Sequence, residues 1–412
     1  MPSAAIVRPR KRPRLGEYPT PWPSSSSPLA PLPLDLLLEI AGLTDPATLV
    51  RCAATCKDLH RRIGDTSFRH RLRHGNRFVR SLLRGHLVQE RDKAKHVALN
   101  AAWCSPTALA DEDKPFTLHG RPVAAYDGLV LARVTEQPDV EVELLRVYNS
   151  ATGRYQTLPP GPKFSGQDIL LVGDGEGGGV VGRSFKVLNV KLVVLTNHHR
   201  CLKIQTFSSE HGAWGPFTKI PIPLRHQSNL MRLLGNHRPL TLLGKPLVFG
   251  DAVHLLCWTY YILTLHDVGA APRVTWTELP SSFPCCQPDQ VLLATSTAGS
   301  SPIVLVADIN KICAWSRSQC TGKWKKRPQV VIRNQAIIDT SQRMLENVQL
   351  KWFGERSGVV LIHMPDRGDF CWLDLRTKEI IRSSAGRTPD IEYYFPYEMN
   401  LSAWVPTFGK TF

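Results

Sequence analysis

The sequence predicts an α+β multidomain chain of two unlike parts. A small N-terminal three-helix unit with a helical linker is followed by an all-β C-terminal domain, a degenerate five- or six-bladed β-propeller. Three observations carry this prediction. Residues 31–72 space their apolar side chains at helical intervals between start and stop signals. From about Pro115 that periodicity gives way to short β-rich runs separated by Gly, Pro, Asn and Asp. Within the β-rich part, Tyr155, Trp214, Trp276 and Trp324 recur 59, 62 and 48 residues apart, near a blade repeat of ~50 residues.

The helical unit reads residue by residue. Leu32-Pro33 precedes Asp35, and Leu36, Leu37, Glu39 and Ile40 form a short amphipathic segment that stops at Gly42. Asp45-Pro46 then starts a second helix, because the carboxylate can accept an orphan backbone N–H and Pro needs no donor in the first turn. Leu49, Val50, Cys52, Ala53 and Cys56 follow along one helix. So short a unit cannot bury all this apolar surface internally, so it requires a partner.

Leu32, Pro33, Asp35, Leu36, Leu37, Glu39 and Ile40, then Leu49, Arg51, Cys52, Cys56, Lys57, Ile63 and Phe68, resemble an F-box. The resemblance implies docking on a Skp-type adaptor and, through it, a cullin. It also implies that the chain is a non-catalytic receptor subunit that brings a protein substrate to ubiquitination. Leu32, Pro33, Leu36, Leu37, Ile40, Leu49, Val50, Cys52, Leu59 and Ile63 are the residues it implies for the adaptor face or its immediate packing. Leu59 stands where the family usually carries Trp, keeping an apolar contact of smaller area.

Residues 74–109 are expected to continue as the helical linker, with Phe78, Val79, Leu82, Leu83, Leu87, Val97, Leu99 and Trp103 supplying apolar faces. Residues 110–412 form the β domain. Its units share one scheme: an apolar strand, a second strand ending in a turn, then an aromatic or polar residue opening another strand. Examples are Lys186–Thr196, Cys201–Ser208 and Gly212-Ala213-Trp214, or Ile303–Ala307, Ile312–Ser316 and Gly322-Lys323-Trp324. Radial repetition of such sheets solves the edge problem, which is the logic of kelch-like blades. Pro159-Pro160, Pro221, Pro223, Pro280, Pro284 and Pro328 fit loops between blades. The domain resembles the C-terminal associated domains of plant F-box proteins, and residues 397–408 resemble the ending of a large grass group.

Residues 1–30 read as a disordered basic tail rich in Pro and Ser, with too little apolar surface to offset ordering. Arg8, Arg10, Lys11, Arg12 and Arg14 resemble a nuclear-import cluster. The net charge of +16 is concentrated near the N-terminus: residues 1–14 carry five Lys/Arg and no acid, and residues 61–95 carry eleven against three acids. A nuclear nucleic-acid-associated regulator using those segments is the alternative reading. A dedicated nucleic-acid domain would instead place its charge on the large folded part. No run approaches the ~18 apolar residues of a membrane helix, and the N-terminus lacks a secretory signal. The expected location is nucleus and/or cytoplasm, with the 10 cysteines reduced.

Three further patterns lack the context their chemistry needs. Gly173–Gly178 satisfies GxGxxG, but Val180, Val181, Phe185 and Val187 continue as strand where a dinucleotide site opens a helix, so the segment is expected to be a flexible hairpin loop. His198 and His199 are adjacent on an apolar strand and so point to opposite faces, which argues against one shared metal ion. No Ser–His–Asp set can be assembled from the order of residues. No catalytic residue, metal or cofactor is expected.

Overall fold

The computed structural model describes residues 32–399 apart from 73–77, 91–96, 102–117, 136–142, 162–165, 177–180, 195–199, 223–241, 334–347, 383–390 and some shorter gaps. The N-terminal tail, with Arg8, Arg10, Lys11, Arg12 and Arg14, and the final residues from Asn400 lie outside the described residues.

Three helices open the chain: α1 (Leu34–Gly42), α2 (Pro46–Thr55) and α3 (Lys57–Ile63). The first ends at the predicted glycine and the second begins on the predicted proline. Cys56 does not continue α2. It is the N-cap of α3, where its Sγ accepts a hydrogen bond from the Leu59 N–H at 3.4 Å. Leu38, Ala41, Leu49, Ala53, Leu59, Ile63 and Phe68 close a small core between the helices.

The rest is a five-blade β-propeller with a ring-closing sheet. The first blade is β3 (Arg121–Tyr126), β4 (Leu129–Thr135), β5 (Glu143–Asn149) and β6 (Tyr155–Thr157). The second is β7 (Gln167–Glu176), β8 (Arg183–Val194) and β9 (Arg200–Ser208), with β10 (Ala213–Trp214) and β11 (Thr218–Ile222) both paired to β9. The third is β12 (Leu242–Phe249), β13 (Ala252–Cys257), β14 (Tyr261–His266) and β15 (Arg273–Glu278). The fourth is β16 (Val291–Thr295), β17 (Pro302–Asp308), β18 (Lys311–Ser316) and β19 (Gln329–Arg333). The fifth is β20 (Gln349–Phe353), β21 (Val359–Met364), β22 (Asp369–Asp374) and β23 (Ile380–Arg382).

Two strands from before the blades and one from after them complete the ring. β24 (Ile391–Glu398) pairs antiparallel with β1 (Leu83–Glu90), which pairs with β2 (Val97–Ala101). β24 packs between β20 and β3 and so fills the place of an innermost strand.

Blade-on-blade packing explains why the middle strands read as unbroken apolar runs. Leu188, Val190, Leu202 and Ile204 of the second blade meet Val253, Leu255, Leu263 and Leu265 of the third. The opposite face of the second blade places Phe185, Val187 and Phe207 against Leu129, Leu131 and Val147 of the first. With both faces covered, alternation is lost. The aromatic marks fall on the outer strands: Tyr155 opens β6, Trp214 lies in β10, Trp276 in β15, and Trp324 bridges Arg317 before β19.

The structure corrects three expectations. Within the helical linker expected over residues 74–109, the described residues hold a 3-10 turn, Arg80–Leu82, followed by β1 and β2. Apolar residues at Leu83, Leu87 and Val88 suit either state, and the open edge of β24 decides for strand. Pro221 lies within β11, an edge strand that tolerates a missing donor, and Pro328 immediately precedes β19, so neither is in a loop between blades. The glycine-rich segment is strand through Glu176, since Gly173, Asp174 and Gly175 belong to β7.

A rigid joint ties the helices to the ring. The Val79 N–H donates to the Arg356 carbonyl at 2.8 Å, and the Met399 N–H donates to the Leu82 carbonyl at 2.8 Å. Phe78 meets Phe353 edge-on, with ring centroids 5.9 Å apart. Its ring also covers Gly358, where φ is +72° and a Cβ would collide with Phe78. Leu82 packs into the helical core while its neighbour Leu83 packs with Trp352, Leu361 and Trp372 of the fifth blade. Phe78→Ala should lower the free energy of unfolding by about 3–5 kcal/mol in a urea titration and open the joint to protease. An unchanged midpoint and digestion pattern would show that the joint lies elsewhere.

Candidate functional site

The helical unit divides the ten residues assigned to adaptor docking into two sets. Leu32, Leu36 and Ile40, spaced by four, form one stripe that is 55%, 46% and 49% exposed, with Pro33 also exposed beside them. Leu49, Leu59 and Ile63 are buried in the helical core, Leu37 and Cys52 are half-buried at its margin, and Val50 is half-buried. The first set can touch a partner, while the others hold the helices in register beneath it. A salt bridge from Arg62 Nη1 to Asp35 Oδ1 at 3.0 Å joins the end of α3 to the start of α1. Both side chains are exposed, so it contributes at most ~1 kcal/mol.

The stripe follows from helical period alone. Within α1, positions 34, 37, 38 and 41 face the core, which leaves 36 and 40 on the opposite side, and Leu32 stands exposed two residues before the helix. Three large apolar side chains in a row without cover mark an interaction surface.

A second candidate lies on the ring axis, and nothing in the sequence signals it. A cavity of about 210 Å³ is lined by all six innermost strands, including Ala125 of β3, Ile169 of β7, Leu247 of β12, Leu293 of β16, Phe353 of β20 and Phe395 of β24. Gln167, Asp168, Lys245, Glu355 and Tyr126 are among the residues with polar groups that line it. The Lys245 ammonium sits 3.7 Å from the centroid of the Phe395 ring. Burial, reinforced by Lys351, brings its pKa down to about 7. Asp168 is held by Arg133 Nη2 at 2.6 Å and Asn189 Nδ2 at 2.6 Å.

Toward the helical unit the axis is closed by charged groups from several tight turns. Arg183 donates to the Asp127 carboxylate at 2.8 Å and to the Asp127 carbonyl at 2.9 Å. Arg356 Nε lies 3.6 Å from Asp127 Oδ1, and its guanidinium lies 5.9 Å from the Tyr126 ring centroid. Glu398 accepts from the backbone N–H of Ser357 at 2.8 Å and of Arg356 at 3.2 Å. Glu355 accepts from the Val248 N–H at 3.1 Å. Burial pushes the carboxyls of Glu355 and Glu398 above the usual carboxylate range, Glu355 well above it, and raises the Tyr126 phenol. Beside this cluster, a cavity of about 700 Å³ opens between the second and third blades, with Lys186, Glu210, Asp251 and Asp267 among its lining residues.

These groups come from segments far apart in sequence, each reading alone as a solvated turn, which is why no motif announces them. Among the described residues, no three His, Cys, Asp or Glu side chains converge as a metal site. His198, His199, His226 and His237 lie outside the described residues. Burial takes His254 and His363 to about 4, leaving them as neutral rings. His254 pairs with Thr264, and His363 stacks on Phe370.

The Lys245 shift predicts a pH signature. The amine loses its proton near pH 7 in the folded chain but near ~10.4 when unfolded. The unfolded state therefore binds the extra proton between those values, and stability falls as pH drops from ~10 toward 7. Lys245→Met should be more stable than the parent at pH 7, with the difference vanishing above pH ~10. Melting curves across that range check it, and a pH-independent difference would contradict the shifted amine.

Comparison with known proteins follows the division seen in the structure. The family model described as "Domain of unknown function (DUF7595)" matches residues 95–407, and the F-box-like model matches residues 29–74. A search of curated proteins finds no match. Among solved structures, the β-propeller domain of Myceliophteria thermophila Cps50 (Swd1) is similar at 8% identity and a TM-score of 0.36, covering 65% of this chain and 88% of that one. TolB from Acinetobacter baumannii is similar at 9% identity and a TM-score of 0.39, covering 80% and 70%. AztD from Citrobacter koseri is similar at 12% identity and a TM-score of 0.36, covering 76% and 84%.

Proposed function

The chain belongs to the DUF7595 family and carries an F-box-like module, and from that premise we propose that it is a substrate-recognition subunit of a Skp adaptor–cullin ubiquitin ligase. In this reading the helical unit binds the adaptor, and the propeller holds a protein target for ubiquitination. The protein contributes no chemistry of its own. It raises the effective concentration of target and ubiquitin donor by holding both in one complex. The observation that carries the reading is the exposed stripe of Leu32, Leu36 and Ile40 on a helical unit whose other large apolar side chains are buried or half-buried.

The rigid joint supports the same reading, because proximity works only when the target is presented at a defined distance. The closing residues from Tyr397 support a plant, grass-type member with kelch-like blades, and the run Arg8, Arg10, Lys11, Arg12 and Arg14 supports entry to the nucleus. Leu32→Ala, Leu36→Ala and Ile40→Ala together remove apolar atoms that are already about half exposed, so the fold should persist. Capture of a purified Skp adaptor should fall by at least ~100-fold, since the apolar centre of such an interface carries most of its affinity. Undiminished capture by a folded triple variant would refute the assignment.

A further inference from the structure

The outer part of the second blade carries like charges in direct register. Lys191 of β8 stands opposite Lys203 of β9, and Lys203 stands opposite Lys219 of β11. Directly paired residues share a face of the sheet, so three ammonium-bearing side chains leave it in one row, roughly 10 Å long for strands ~4.8 Å apart. Like charges directly opposite weaken a sheet. None of the three lysines has an ion pair among the described residues. On the same side, the carboxylates of Asp168 and Glu143 are engaged by Arg133 at 2.6 and 3.1 Å. Phe217, two residues before Lys219, is 44% exposed, and the ammonium groups of Lys203 and Lys219 lie 6.0 and 5.8 Å from its ring centroid.

The row sits on a particular rim of the ring. Lys191 is near the end of β8 at Val194, and Lys203 is near the start of β9 at Arg200. The opposite end of β8 begins at Arg183, which pairs with Asp127 in the charge cluster beside the helical joint. The lysines therefore line the rim away from the helical unit, where a held target would have to bind.

We propose that Lys191, Lys203, Lys219 and Phe217 form a docking surface for an acidic, carboxylate-rich segment of a target protein. This rests on the receptor reading above and names the chemistry of its substrate. An extended acidic segment presents alternate side chains ~6.6–7 Å apart, within reach of flexible lysine stems, and an apolar side chain among them would cover Phe217. Duplex DNA suits the row less. Three cations would release few counterions, and the basic excess of the chain lies in residues 1–14 and 61–95.

The test measures fluorescence anisotropy of a fluorescein-labelled peptide of repeated Glu with a central Phe against the full chain. The comparison is with the combined Lys191→Thr, Lys203→Thr and Lys219→Thr variant and, separately, Phe217→Ala. Threonine suits strands, and losing like-charge contacts should leave the melting temperature equal or higher. The expected result is at least ~10-fold weaker binding by the triple variant, a smaller loss for Phe217→Ala, and weakening by salt. The proposal is overturned if the folded triple variant binds as the parent does, if a Gln-for-Glu peptide binds equally, or if a DNA duplex of matched charge binds more tightly. Adaptor capture by the parent chain measures the receptor reading separately. Its failure beside intact, lysine-dependent peptide binding would sink that reading and leave the acidic-peptide surface supported.

Discussion

The pairing of β24 with β1 is the constraint on which the rest of this molecule depends. A ring of sheets closes only when its last sheet is shared between chain regions that would otherwise leave open edges. Here the C-terminal strand supplies the innermost position, and two strands from before the first blade supply its partners. The consequence reaches the helices. Because β1 begins at Leu83, α3 at Ile63 is only a short stretch of chain from a fixed element of the ring. Leu82 and Leu83 then insert into separate cores, so helical unit and ring share the load at that point.

That joint sorts the two faces of the ring into different kinds of surface. On the helical side the hairpin turns are tight. Asp127-Gly128 lies between Tyr126 and Leu129, and Gly250-Asp251 lies between Phe249 and Ala252, with φ of +49° at Asp127, +84° at Gly128 and +59° at Gly250. Their side chains and neighbours form the charge cluster of Asp127, Arg183, Arg356 and Glu398, which spends its hydrogen bonds on the turns themselves. On the other side lie the strand ends between which the chain passes from blade to blade, Ile222 and Leu242, Arg333 and Gln349. Long connections carried by a rigid scaffold are where recognition varies most freely.

How much of this was legible in the sequence follows from how each feature is encoded. The helices were readable because a 3.6-residue period, Gly42 and Pro46 are local signals, and α1 and α2 respect them. The second and third strands of each blade and the outer aromatic marks were readable because runs such as Ile303–Ala307 are apolar on both faces. β1 and β2 were misread as helix since their identity depends on β24, about three hundred residues later. The inner strand β20, Gln349–Phe353, interleaves polar and apolar residues and so carries no unbroken apolar run. The axial cavity was invisible for the same reason: Lys245, Glu355 and Phe395 acquire their environment only when the ring closes. Of the ten residues expected for docking, the sequence could not separate Leu36, which faces outward, from Leu59, which is core.

Ring closure also bears on the departure at position 59. In an isolated helical unit, a Leu in place of a bulkier aromatic would leave the three helices with less buried area, and the loss would weaken the surface they present. In this chain Leu59 is 7% exposed and shares its core with Leu82, which the ring holds in place through the Met399 N–H. Part of the order that a larger side chain would supply to α3 is therefore supplied by the propeller. The exposed stripe on α1 is then not a property of residues 32–63 alone, because the core beneath it is completed by the residue that precedes β1. The exposed stripe and the propeller are thus folded as one unit, through a joint to which the residue after the closing strand contributes.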